Sequence, residues 1–305
     1  MFLFDKIPWY SALIALILLA VLILINEVTR KNKLCSIAIY IILPIVLTFV
    51  VWPKTAGAGT SVGYWFPWVK VYSSLAGVIG FMALRYIKGL DKNKLMLMFP
   101  PFILAVNILE AVYRDFQCFN IQGVEHGLIM IGGPWNIING IAGILSIITL
   151  TGWSTIFISK NKGKDMIWPD QLWFWIIAYD LWNFSYIYNC ISDRSFYVGF
   201  ILLLSCTIPA FFIKKGAWLQ HRAQTLALYA MFSLTIPTFA DSSMLAVKSS
   251  HNRNALLFIS ILSLVANAGI LIYEIKRIKQ YRLNPLKDDI YSDLKAYKDV
   301  ISENK

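Results

Sequence analysis

The sequence predicts an all-α, polytopic integral membrane protein, a bundle of about nine transmembrane helices. Three observations predict it. The chain has 305 residues, 58% hydrophobic and only 15% charged, with mean hydropathy +0.61, outside the range of ordinary soluble domains. Its apolar residues gather into blocks of roughly 20, enough to cross a bilayer as helices. Basic clusters recur on alternate turns of the resulting zigzag: Arg30, Lys31 and Lys33; Arg85, Lys88, Lys92 and Lys94; Lys160, Lys162 and Lys164; Lys214, Lys215 and Arg222; Lys276, Arg277, Lys279 and Arg282. The intervening loops are poor in Lys and Arg, which is the positive-inside pattern. The net charge of +11 would also suit nucleic acid. The basic residues, however, lie in short loops beside apolar blocks, where they orient helices and attract anionic lipid. No basic-aromatic nucleic-acid module is present, so the lipid bilayer is the expected partner and nucleic acid is not.

The blocks run approximately Trp9–Ile25, Leu34–Trp52, Pro67–Lys88, Leu95–Arg114, Pro134–Ser159, Asp170–Cys190, Phe196–Ile213, Leu219–Asp241 and Asn254–Tyr273. An odd number puts the N-terminus outside and the C-terminus in the cytoplasm of a plasma-membrane protein. Residues 1–275 form the bundle and 276–305 a basic, amphipathic tail. The first block lacks a basic n-region and a small-residue cleavage pattern, and its basic cluster follows it, which argues for an uncleaved helix over a signal peptide. Pro8-Trp9, Pro67-Trp68 and Pro134-Trp135 each open a helix on the predicted outer side; proline suits the first helical position and tryptophan the interface. Cys118 and Cys190 both fall on that side, where a disulfide or two free thiols are compatible with the sequence.

The polar residues inside the blocks carry the functional reading. In the sixth, Tyr179, Asn183 and Tyr186 are spaced i, i+4, i+7 and share a broad face with Asp180. Asp180 lies near mid-membrane, where a charged carboxylate costs roughly 2.5–3.5 kcal/mol and must face other helices. In the fourth, Asn107, Glu110 and Arg114 form one stripe, and Glu110 to Arg114 is the favoured i, i+4 order for an ion pair. Lys70 in the third block, Asn136 and Asn139 in the fifth, and Asp241 at the end of the eighth add polar groups in the predicted outer half. Together these residues would enclose a polar cavity open to the outside and floored by Asp180. Small residues and Ser, Thr and Asn on the fifth and ninth blocks serve helix packing.

The loop between the fourth and fifth blocks contains Leu128-Ile129-Met130-Ile131-Gly132-Gly133-Pro134, read as a helix lead-in at the interface or a re-entrant lid. After Pro285, Ile290, Leu294, Tyr297 and Ile301 repeat at helical spacing. This amphipathic helix would lie on the inner membrane surface, against the inner loops, or free as a frayed tail. His126, His221 and His251 are scattered, and no metal, nucleotide or nucleophile-elbow motif appears, so no cofactor or metal is expected. The segments Gly132-Gly133-Pro134-Trp135-Asn136 and Tyr179-Asp180-Leu181-Trp182-Asn183-Phe184 resemble an uncharacterised family of bacterial multi-pass membrane proteins, over most of the chain. That resemblance implies no activity or ligand. The sequence thus leads to a permease for a small polar solute, with Asp180 as the protonatable group and Glu110–Arg114 as outer gate. A sensor or scaffold signalling through the tail is the alternative, and an intramembrane enzyme using Asp180 and Glu110 a more distant one.

Overall fold

A computed structural model describes residues 2–305. The chain is mostly helical, with two short hairpins. Among the described residues, nine long helices follow the nine apolar blocks: α1 Trp9–Lys31, α2 Lys33–Thr55, α3 Trp65–Tyr86, α4 Lys94–Cys118, α5 Pro134–Ile148, α6 Trp173–Cys190, α7 Ser192–Phe212, α8 Trp218–Thr235 and α9 Arg253–Tyr281. A tenth, α10 Lys295–Asn304, forms the tail. Six of them (α1–α4, α7 and α9) are long and apolar enough to cross a membrane. The expected nine spans are therefore reduced to six by that criterion. α5 has 15 residues, about 22 Å at 1.5 Å per residue. α6 and α8 carry too many polar side chains to qualify.

That division is structural as well as compositional. α1 and α2 leave Leu16, Leu24, Phe49 and Val50 exposed, and α9 leaves Phe258 and Val265 exposed. A belt of apolar side chains this broad is foreign to water-soluble surfaces and suits hydrocarbon. The polar α6 and α8 are instead buried along most of their length. α9 packs on α5 and α6, α4 on α5, and α8 on α3 and α7. Gly143 permits the close approach of α5 to its neighbours: a Cβ there would lie 2.5 Å from Val112 Cγ2 and 2.6 Å from Trp182 Nε1.

The basic clusters do gather at one end of the bundle, but not as free surface charge. Arg30, Arg85, Arg222 and Arg277 are all buried. Arg85 donates to the carbonyls of Arg30, Gly163 and Lys164, at 2.5, 2.7 and 2.9 Å. Asp165 accepts from Arg30 at 2.7 Å and from Gln220 at 3.2 Å, joining α1 to α8. Helix C-termini leave carbonyls unpaired, and a guanidinium supplies five donors in one plane; Arg30 and Arg85 use theirs to fasten the loop at Gly163–Asp165. At the opposite end, Asp5 N–H bonds the carbonyl of Lys248, and Tyr188, near the end of α6, donates to Leu3.

Three boundaries differ from expectation. The Leu128–Ile131 run is β2, paired antiparallel with β1 Gln122–Glu125. His126 and Gly127 both take positive φ, the type I′ turn that closes two-residue hairpins, so this run is neither lid nor helix lead-in. The fifth block ends as helix at Ile148, because Thr149-Leu150-Thr151-Gly152 turns out of the helix, with Gly152 at φ +64°. The chain then forms a small hairpin, β3 Phe157–Ile158 with β4 Met166–Ile167, before α6. Finally, α9 runs on unbroken past residue 275 to Tyr281, and the tail docks on the basic end. Ile290, Tyr291 and Val300 pack with Ile167, Leu172 and Ala217. Asp170 accepts the backbone N–H groups of Ile290 and Tyr291 at 3.1 and 3.0 Å and a hydroxyl bond from Thr151.

Candidate functional site

Tyr179, Asn183 and Tyr186 line one cavity, as their spacing on α6 predicts. Its other walls come from α3, α4, α7 and α8. On α3 it extends from Phe66 to Phe81, about 22 Å at the helical rise. Room for the centres of water-sized molecules amounts to about 110 Å³. A second chamber of about 80 Å³ by the same measure shares Phe66, Lys70, Ile191, Val198, Leu202 and Leu226 with the first and continues to Tyr64 and Arg194. The walls are mainly apolar, and the polar groups are few and placed on different helices.

Two cations line the main cavity. Lys70 Nζ reaches Glu110 Oε2 at 3.0 Å and Asn107 Oδ1 at 3.2 Å, and Ser73 Oγ lies 3.3 Å from the same carboxylate. α3 and α4 are thereby clamped by a paired charge. Arg222 enters from α8: its Nε is 3.5 Å from Tyr179 Oη and its Nη2 donates to Asn183 Oδ1 at 3.1 Å. Among the described residues, its Nη1 has no hydrogen-bond partner, and neither does Tyr186 Oη. Both side chains are 4% exposed. Asp180 does not line the cavity. It turns toward α7, where Thr207 donates to Oδ2 at 2.7 Å, while its buried Oδ1 lacks a partner. Asp180 therefore does not floor the cavity, and Arg222 is the α8 charge that lines it. The signal was present in Gln220-His221-Arg222-Ala223-Gln224, too polar for lipid, but the run reads equally well as a basic loop.

The remaining predicted residues fall into other groups. Glu110 and Arg114 do not pair with each other. Glu110 is held by Lys70, and Arg114 Nη2 donates to Glu125 on β1 at 2.7 Å. One helical turn separates them, but each meets a better-placed opposite charge on a neighbouring element. Asn136 and Asn139 face Asp115, which sequence reading passed over because it was placed in a loop. Asp115 Oδ1 accepts from Asn136 at 3.2 Å and from Cys190 Sγ at 3.3 Å, and Oδ2 accepts from Asn139 at 2.8 Å. The network continues through Asn139 Oδ1 to Ser263, and further along through Ser146, Asn267 and the carbonyl of Ala178. Cys118 and Cys190 are both buried free thiols. Asp241, on a single turn Thr238–Asp241 beyond α8, takes a bidentate pair from Arg194 at 2.5 and 2.6 Å and a hydroxyl bond from Ser61. This closes the end of the second chamber. His221 is fully buried on α8 and bonds Asn26 of α1 at 2.6 Å.

Among the described residues no cluster of three His, Cys, Asp or Glu is arranged to hold a metal. The arrangement is that of a helical protein with membrane-length apolar helices around a polar core and a charged internal cavity. A profile described as a family of unknown function (DUF5692) matches residues 5–303, and the chain belongs to that family. No curated protein and no solved structure matches it.

Proposed function

We propose that this protein is a plasma-membrane carrier for a small organic solute that occupies the cavity among α3, α4, α6, α7 and α8. The observation carrying this reading is a cavity at the heart of apolar helices, lined by Tyr179, Asn183, Tyr186, Arg222 and the Lys70–Glu110 pair. Ionisable groups placed among membrane helices mark pathways for solutes and ions. The collected basic clusters orient the bundle with that end in the cytoplasm. Arg194–Asp241 then gates the outer end, replacing the Glu110–Arg114 gate. Asp180, one residue from Tyr179 and close behind Arg222, is the protonatable coupling group. An Asp180→Asn variant is expected to lose the pH dependence of uptake.

The test is two-sided access. In a Cys35→Ser background, Ser73→Cys places a thiol on the cavity wall. A carrier exposes it to a membrane-impermeant maleimide from intact cells and from inverted vesicles. Labelling from one face only would reject the carrier. The tail favours a second reading, a sensor reporting inward, because α10 and Tyr291 dock beside the start of α6. Removing residues 286–305 separates the two: a carrier keeps transport, whereas a sensor keeps binding and loses its output.

A further inference from the structure

The charges around the two chambers do not balance at contact distance. Of the three cations that line them, Lys70 is paired with Glu110 and Arg194 with Asp241. Arg222 is the third. Its bonds go to a phenol and a carboxamide, its Nη1 is unused, the Tyr186 hydroxyl also lacks a partner, and both residues line the cavity. A guanidinium stays charged at any physiological pH. Burying it with no counter-ion in contact costs several kcal/mol, so the site gains from an anion that completes it. Asp180, next to Tyr179 on α6, acts on Arg222 through space, but Thr207 takes one of its oxygens, it makes no bond to the guanidinium and it stands outside the cavity wall.

We infer that the cavity binds a compact organic monoanion, an acid with one carboxylate and an apolar body, whose carboxylate is received by Arg222 and whose far end reaches Tyr186. The inference rests on the reading of this cavity as the working site. One uncompensated cation suits one negative charge; a dianion such as a phosphate monoester would leave a charge unpaired. A zwitterion would need a free carboxylate for its ammonium group, and Glu110 is already engaged by Lys70. Phe66, Phe81, Leu104, Ile187 and Leu219 on the walls receive the apolar body, and such a mostly apolar pocket with a few placed polar groups is typical of small-molecule sites. The modest volume favours short acids over membrane fatty acids.

The experiment is equilibrium binding to the full chain in detergent, by calorimetry and thermal shift, with acetate, butyrate, benzoate and octanoate as probes and benzamide as the uncharged control. Butyrate or benzoate is expected to bind and to raise the melting temperature, with benzamide inert. Strongest binding by octanoate would move the source of the acid to the membrane while keeping the carboxylate site. Arg222→Gln should weaken benzoate on the order of 10- to 100-fold, the value of a hydrogen bond to a charged group, and Arg222→Lys should recover part of the loss. Benzamide binding as tightly as benzoate, unchanged affinity in a folded Arg222→Gln protein, or no binding by any of the acids would each overturn the assignment. The acid–amide comparison needs only the unaltered protein and stands if the variant does not fold. Binding also separates from the carrier reading: one-sided labelling at Ser73→Cys with intact benzoate binding removes transport and keeps the ligand class, whereas two-sided labelling without acid binding does the reverse.

Discussion

Asp115 and Arg222 are both buried charges among amides, and both touch α6, yet they end differently. At Asp115 both oxygens accept bonds, from Asn136, Cys190 and Asn139, and the second amide passes the network on to Ser263. No cation is needed, because oriented dipoles surround the carboxyl group on every side. At Arg222 two nitrogens find partners and the third does not. A saturated network locks α4, α5, α6 and α9 into one arrangement. An unsaturated one leaves hydrogen-bonding capacity unused, which is the basis of the proposed anion site. Unused hydrogen-bonding capacity, more than the presence of charge, separates the proposed site from the Asp115 network.

The largest expected effect tests that contrast directly. Asp115→Leu leaves Asn139 Nδ2 and the Cys190 thiol without their acceptor, and Asn136 Nδ2 with only a long bond to Cys190 Sγ. At about 1–3 kcal/mol for each stranded group, the loss is on the order of 2–6 kcal/mol, read as a fall in the thermal midpoint of the monodisperse species in detergent. Arg222→Gln removes a buried charge whose bonds are long, and its cost in the same assay should stay within about 1 kcal/mol. Equal losses in the two variants would make Arg222 a structural residue and erase the distinction.

A smaller effect sharpens it. Gly143 lies where α5 meets α4 and α6, with no room for a Cβ beside Val112 and Trp182. Gly143→Val overpacks the Asp115 side, at about 1–3 kcal/mol. Because Gly143 is outside the cavity wall, benzoate affinity should survive. Loss of affinity together with stability would mean that the two sides of α6 move as one.

Much of this was legible in the sequence, and the illegible part has a common cause. Period and length gave the helix-forming blocks, and the i, i+4, i+7 spacing put Tyr179, Asn183 and Tyr186 on one wall. Which charge meets which was hidden. Glu110 and Arg114 satisfy every local criterion for a pair, yet Lys70 and Glu125 arrive from elsewhere in the chain and take them. Asp115 and Arg222 sit near block ends, where hydropathy cannot tell a loop from a buried turn of helix. His126-Gly127 was readable as a hairpin turn only once both residues were seen at positive φ. Local rules report neighbours along a helix; the contacts that define the cavity are between helices.

The smallest expected effect concerns the docked tail. Burial raises the Asp170 carboxyl to about 6 from its ordinary 3.8, against the pull of the Thr151 hydroxyl and the Ile290 and Tyr291 amides. A carboxyl whose folded value exceeds its unfolded one binds its proton more tightly when the tail is docked. Its contribution is fully present below 3.8 and is lost as pH climbs through about 6. Protection of the Ile290 and Tyr291 amides, measured against their intrinsic base-catalysed exchange, should therefore fall across that interval, while protection within α6 stays flat. Asp170→Asn, which cannot ionise, should abolish the pH step and leave the tail docked throughout. A step that persists in Asp170→Asn would assign the transition to another group. Either result leaves the Asp115–Arg222 contrast intact, since this latch lies at the basic end, outside both networks.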